Sequence, residues 1–219
     1  GRWLAPSTVV ASDAYPFTQR LSIGPDGTAA LAWQLASDLG GVHASLVRAD
    51  GTVVQAPAAV GQTAIRWATD VAVDGPGAII VAYARAADDE LTIARLVATG
   101  GALAAEPPVT ETNPVSATYQ TRMGIERLDD GSVLVAYRDR YGQAVMVRRR
   151  VTGVWQVPLL FGIGVSGPSL RRDALGDGAL THEGQLLTRE AVKDLTAWCA
   201  EKGVLSARAA LTRARGETP

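Results

Sequence analysis

Cysteine is nearly missing. Cys199 is the single one, so no disulfide can form within the chain, and this thiol is expected to serve as a small buried hydrophobe. Histidine occurs only as His43 and His182, which excludes a histidine-rich metal site. His43 stands in an alternating stretch and reads as a surface residue of a strand. An excess of positive charge is also missing: the formal net charge is −1. Partners held by bulk electrostatics, nucleic acid or an anionic membrane surface, are thereby excluded. No apolar run reaches the roughly 18 residues that a membrane helix requires. The chain opens at Gly1 with neither an initiating methionine nor a signal-peptide pattern, as expected of a processed product or a fragment.

What is present is a core-forming composition, 219 residues of which 47% are hydrophobic and 20% charged. It is arranged in repeats. Pro6, Pro57, Pro107 and Pro158 are spaced 51, 50 and 51 residues apart. An Asp-Gly turn signal recurs at Asp26-Gly27, Asp74-Gly75, Asp130-Gly131 and Asp177-Gly178. After the first three comes a β-rich run ending in Ala-aromatic: "TAALAW" to Trp33, "GAIIVAY" to Tyr83 and "SVLVAY" to Tyr137. A polar turn follows. Then comes an alternating run pairing an apolar residue with an Arg two places on: Leu46 and Arg48, Ile93 and Arg95, Val147 and Arg149. A glycine turn (Gly51, Gly100, Gly153) leads to the proline strand. Each unit of about fifty residues therefore reads as about four short strands.

The C-terminus admits two readings. "TREAVKDLTAWCAEKG" has helical spacing at Ala191, Leu195, Trp198 and Cys199, with Thr188 as cap and Gly203 as stop. Superimposing Trp198 on Trp33 instead matches Ala197, Ala209, Leu211, Arg213, Ala214 and Gly216 to Ala32, Ala44, Leu46, Arg48, Ala49 and Gly51. That predicts a fourth unit with an insertion over about 181–193, read as a hairpin or a helix.

Four-stranded units of this length predict a mainly-β, β-propeller-like fold. The expectation is one domain over 1–219 with about four blades of four short antiparallel strands, in repeats of approximately 6–56, 57–106, 107–157 and 158–219. Three blades plus a helical C-terminal tail is the alternative. Proline cannot donate to a β-ladder, so one proline per unit marks the edge strand on the outside of each blade. "RWLAPSTVV" can complete the last blade and close the ring; a fragment of a longer array, or a ring completed by two or more copies, stays open.

The stretches "GTAALAWQLASDLGGVHASLVRADGTVVQAPAAV" and "GAIIVAYARAADDELTIARLVATGGALAAEPPV" resemble the repeats of bacterial secreted and cell-surface propeller-type proteins. The resemblance covers most of residues 20–161 and is one of repeat style. It implies a secreted or surface location. The chain is also similar to sialidase-like propellers, but their Asp-box, Ser-x-Asp-x-Gly-x-x-Trp, is absent, and "YPFTQRLSI" does not supply their Arg-Ile-Pro.

Other motifs fail on context. "GIGVSG" (162–167) has dinucleotide-fingerprint spacing, but Pro168 follows where a helix is required. "GVSGP" has Pro168 where a nucleophile elbow needs glycine. "HEGQL" has Leu186 in place of the second zinc-binding histidine. No cofactor and no metal are therefore expected. In "VRRRV", Arg148 and Arg150 share one strand face and Arg149 takes the other, read as a solvated outer face. Arg48, Arg95 and Arg149 are expected to bond turn carbonyls or acids such as Asp50.

One series points to ligand binding. Tyr15, Trp67 and Tyr119 are spaced 52 and 52 residues apart, each in the linker toward the next blade. Asp13, Arg66, Asp70 and Arg122 lie near them, and the turn holding Arg138, Asp139 and Tyr141 is expected on the same face. Aromatic rings stack on sugar faces while a carboxylate or guanidinium fixes hydroxyls, and repetition around a ring gives avidity. The rival reading packs these aromatics between blades as core. The function expected is a non-catalytic binding or scaffold module, a lectin-like propeller for glycan or protein. Enzymatic activity is the less favoured alternative: a propeller glycoside hydrolase, with Asp70, Glu126 and Asp139 as candidate carboxylates. A structural subunit of a larger extracellular assembly, a homo-oligomer among them, is the third.

Overall fold

The computed structural model describes residues 16–35, 40–56, 59–63, 69–85, 90–114, 123–128, 131–138, 145–156, 159–160, 169–172, 178–182 and 185–187. Among them every regular element is a strand. The first sheet holds β1 (Pro16–Ile23), β2 (Ala29–Leu35), β3 (Gly41–Val47), β4 (Val53–Gln55) and β5 (Gly61–Gln62). The second holds β6 (Thr69–Val73), β7 (Ala78–Ala84), β8 (Glu90–Thr99), β9 (Ala102–Ala105) and β10 (Val109–Pro114). The third holds β11 (Gly124–Arg127), β12 (Val133–Arg138), β13 (Val145–Val151), β14 (Val154–Trp155) and β15 (Leu159–Leu160). A three-stranded sheet follows: β16 (Ser169–Arg172), β17 (Gly178–His182) and β18 (Gln185–Leu187).

Each of the first three is an antiparallel meander in which the fourth strand comes in two pieces, and a single parallel pair between β4 and β9, Gln55↔Ala102, joins the first two at their outer edges into one ten-stranded sheet. In the second sheet β8 pairs with β9 through Leu96↔Ala105 and then with β10 through Val109↔Ile93. The ladder slips by one residue between the pieces, and Pro107 stands in that slip. Proline thus sits at a bulge within the outer strand and does not open it, a place where its missing N–H costs no ladder bond. Pro57 and Pro158 lie outside the described residues.

The turn glycines set the equivalence of the units. Gly27, Gly77 and Gly131 have φ of 80°, 75° and 79°, a region open to glycine at little cost. The turns they sit in close alike: Gly24 N–H donates to the Thr28 carbonyl, Asp74 N–H to Ala78 and Leu128 N–H to Ser132. The Asp-Gly signals are therefore not equivalent. Asp26-Gly27 occupies the tip of its turn, where the Asp26 carboxylate accepts from Thr28 N and Oγ1 at 3.0 and 2.9 Å. Asp74 occupies the position held by Gly24 and Leu128, at the end of the inner strand. Ladder register corrects the arginines as well. Ile80↔Arg95 and Leu134↔Arg149 are equivalent pairs, and the first sheet places Ala30↔Leu46 there. Arg48 lies two residues on, exposed, where its N–H donates to the Thr52 carbonyl.

The sheets pack face to face. Inner strand β1 lies against β6, β6 against β11, and β11 against β16. β7, "AIIVAYA", is buried along its whole length because it has a neighbour on both sides. Ile79, Val81 and Tyr83 pack on Ala32, Val42 and Leu46 of the first sheet. Ile80, Ala82 and Ala84 pack on Ile125, Val133 and Tyr137 of the third. β-Branched residues with period-two alternation form such a central strand. Successive sheets stacked on shared faces, with their first strands side by side, are the blades of a β-propeller.

Of the insertion expected over 181–193, Thr181 and His182 end β17 and Gln185–Leu187 form β18, which pair antiparallel with register Leu180↔Leu187 and His182↔Gln185. Residues 188–219, on which the helical tail and the completed fourth unit were weighed, lie outside the described residues, as does "GIGVSG". Among the described residues no helix is long and apolar enough to cross a membrane.

Candidate functional site

The seam between the second and third blades opens into a cavity of about 190 Å³. It is lined by Ile80, Ile93, Arg95, Glu106, Pro107, Arg150, Gly153 and Trp155. Register explains the assembly. Leu91, Ile93 and Arg95 are alternate residues of β8, and the first two pack into the core shared with the third blade. From the other side, Arg150 stands opposite both Val133 and Trp155, so it shares their face toward the second blade. Thr152 and Gly153, with φ of 49° and 84°, make the two-residue turn that folds Trp155 back beside Arg150.

The polar part is a linked set. Arg95 Nε donates to Asp74 Oδ2 at 2.6 Å, and Arg150 Nη1 donates to the same oxygen at 2.8 Å. Arg95 Nη1 also donates to Glu106 Oε1. The Asp74 side chain is only 7% exposed, whereas Glu106 is 48% exposed. The hydrogen bond to Asp74, aided by Glu106, holds the Arg95 guanidinium charged more firmly than usual against the cost of its burial. Two guanidiniums thus face two carboxylates, with an indole and two isoleucines beside them. Such a pocket offers hydrogen bonds to hydroxyls on one side and an apolar surface to a ring face on the other.

Sequence reasoning did not find this set. It assigned Arg150 to a solvated outer face, but its side chain is 16% exposed and bonded across the seam. Asp74 read as a turn signal, and Arg95 as a structural bond to a turn. The bonds of Arg95 are to acids, as expected. The acid named, Asp50, is held by Thr52 N–H at 2.8 Å, with Arg48 acting on it only through space. The available signal was Trp155 five residues after Arg150 across a Thr-Gly turn.

Of the residues expected to bind ligand, Tyr15, Arg66, Trp67, Tyr119, Arg122, Asp139 and Tyr141 lie outside the described residues. Arg138 is buried at the end of β12 on the third blade. Asp70 is on β6, the inner strand of the second. Its Oδ1 accepts Val71 N–H at 2.9 Å, and its Oδ2 accepts Ile125 N–H of the next inner strand at 3.0 Å. Arg20 Nε of β1 approaches to 4.0 Å. Burial pushes the Asp70 carboxyl up to about 6; the two N–H bonds and Arg20 oppose this, and Glu126 adds to it. Among the described residues no group of three or more His, Cys, Asp or Glu is placed to hold a metal ion.

Solved structures share this backbone. AofleA from Arthrobotrys oligospora aligns with a TM-score of 0.51 and 14% identity, over 80% of this chain and 58% of that one. A triple arginine-to-alanine mutant of AofleA gives 0.51 and 13% over the same shares. SapL1 lectin in complex with alpha methyl fucoside aligns with a TM-score of 0.50 and 14% identity, over 79% of this chain and 64% of that one. The fold is a β-propeller. The chain spans 58% to 64% of the length of these structures. In sequence, no family model and no curated protein matches the chain.

Proposed function

We propose that this chain is a non-catalytic, lectin-like propeller that binds a neutral glycan in the seam between its second and third blades. The observation that carries the reading is the juxtaposition of Trp155 with the Arg95–Glu106 pair in one small cavity. The indole stacks on the apolar face of a sugar. The half-exposed Glu106 and the free N–H groups of Arg95 serve its hydroxyls. A cavity of about 190 Å³ suits one sugar ring, below the roughly 300–1,000 Å³ of drug-sized sites. A lectin solved with alpha methyl fucoside on the same fold supports the reading. A secreted or cell-surface location goes with it, as the repeat style implies.

The linker aromatics Tyr15, Trp67 and Tyr119 are a separate set for the same ligand class. Calorimetric titration with alpha methyl fucoside, alongside a glycan array, tests both. Saturable binding lost in a folded Trp155→Ala variant and kept in the triple Tyr15→Ala, Trp67→Ala, Tyr119→Ala variant places the site in the seam. The opposite pattern places it in the linkers. No binding by the parent chain leaves the scaffold reading.

A glycoside hydrolase is the second reading, favoured by one observation. Asp70, with its carboxyl pushed up to about 6, neighbours Glu126 on the inner strands, and a raised acid beside another carboxylate suits acid catalysis. Aryl-glycoside turnover abolished by Asp70→Asn supports it; no turnover by the parent removes it.

A further inference from the structure

We propose that Asp74 is the positioning residue of the seam pocket: it locks one guanidinium from each of two blades into a single unit, and its presence decides which seam carries a site. This rests on the seam reading above. Asp74 reaches no ligand itself. Its side chain is 7% exposed and its Oδ2 is occupied by Arg95 and Arg150. Arg95, at 29% exposed, and Glu106, at 48%, reach solvent from the same pocket. Without the shared carboxylate, two like charges would face each other across the seam, Arg150 would lose its bond to Asp74 and Arg95 would keep only the half-exposed Glu106, so the fork that faces the sugar would lose its aim.

The first unit shows what its absence goes with. The turn position of Asp74 is Gly24 in the first unit and Leu128 in the third, each with the same closing turn bond. The strand position of Arg95 is Leu46 in the first unit, fully buried in the core shared with the second blade. At these two positions that seam has neither a carboxylate nor a guanidinium, and the core there holds aliphatic side chains and Tyr83. Among the described residues of these two seams, the second alone has this arrangement. Binding there is single, not an avidity of equivalent subsites.

The test compares the parent chain with Asp74→Asn and Asp74→Glu, each checked for folding by circular dichroism. Two probes are used, alpha methyl fucoside and inorganic sulfate. Asp74→Asn is expected to weaken the glycoside by roughly tenfold or more, because the guanidiniums lose their alignment. It is also expected to bind sulfate, which the parent does not, because Arg150 is left without its carboxylate and Arg95 keeps only the half-exposed Glu106. Asp74→Glu is expected to restore part of the glycoside affinity and abolish the sulfate binding. A folded Asp74→Asn with unchanged glycoside affinity and no sulfate binding overturns the proposal. If the parent binds no glycoside, the seam reading fails, and the sulfate arm alone still decides whether Asp74 holds both arginines. Should Asp74→Asn not fold, the Arg95 Nε–H resonance of the parent decides. A signal protected from solvent exchange supports the lock, and one exchanging as fast as free arginine overturns it.

Discussion

In the first seam Leu46 stands opposite Ala30 and is fully buried; in the second, Arg95 stands opposite Ile80 at the same register position. The turn below holds Gly24 in one blade and Asp74 in the other, closed by the same backbone bond. The two seams thus share a backbone plan, yet one is packed with aliphatic groups and the other opens into a polar cavity. An arginine cannot occupy Leu46's place without an anion, and Gly24 offers none. Conversely, Asp74 is tolerable in a 7% exposed place only because two guanidiniums neutralise it. Between the first two units the residues at the positions of 74 and 95 change together, and that couples pocket chemistry to seam packing there.

The comparison can be broken at its strongest point. Leu46→Arg puts a charge into the first seam with no partner, and should cost about 3–5 kcal/mol of unfolding free energy in urea titration. A stable variant would mean that the seam can recruit an acid unaided. Next in size, the carboxyl of Asp70 sits at about 6 when folded against about 3.9 when unfolded. The native state then binds the proton more tightly. Stability falls as pH rises from about 4 to about 6 and is level above, by at most about 3 kcal/mol. Asp70→Asn should remove that fall. The difference between urea midpoints at pH 4.5 and 7.0, parent against variant, measures it, and identical pH profiles would sink the assignment.

A smaller effect belongs to Gly61. A Cβ there would stand 2.1 Å from Tyr83 Oη, where Tyr83 is 5% exposed and donates to the Val60 carbonyl at 3.4 Å. Gly61→Ala should overpack the first seam by about 1–3 kcal/mol, read from thermal unfolding, and leave glycoside binding in the second seam unchanged. Smallest is Asp26, whose carboxyl is held below its ordinary value by the Thr28 backbone and side-chain bonds. The lowered value contributes stability that is lost as pH falls below the usual carboxylate range. Asp26→Ala should lower stability slightly at neutral pH and remove the corresponding loss on acidification; an effect at pH 7 as large as that of Gly61→Ala would contradict the exposed turn.

Much of the fold was legible because strands announce themselves locally. "TAALAW", "GAIIVAY" and "SVLVAY" carry short unbroken apolar runs between turn residues, the pattern of strands covered on both faces, and each became the second strand of a sheet. The phase of the units was less legible. Asp-Gly pairs look alike in sequence, but only the closing bonds at Gly24, Asp74 and Leu128 show that Asp74 is displaced from the turn tip. A two-residue slip of that kind is invisible to spacing, because polar turns differ in length without changing the pattern around them.

By itself the sequence determined the class: a mainly-β, propeller-like fold, read from apolar strand runs and turn glycines that recur about every fifty residues. Composition and local periodicity decide such things, since each strand's apolar run and each turn's glycine act within a few residues. Only the tertiary structure decided the site. Asp74, Arg95, Glu106, Arg150 and Trp155 span 82 positions of sequence and two blades, and three of them read locally as a turn signal, a structural bond and a solvated strand face. Their chemistry exists because two sheet faces meet, and which side chains face each other across a seam is set by ladder register and not by distance along the chain.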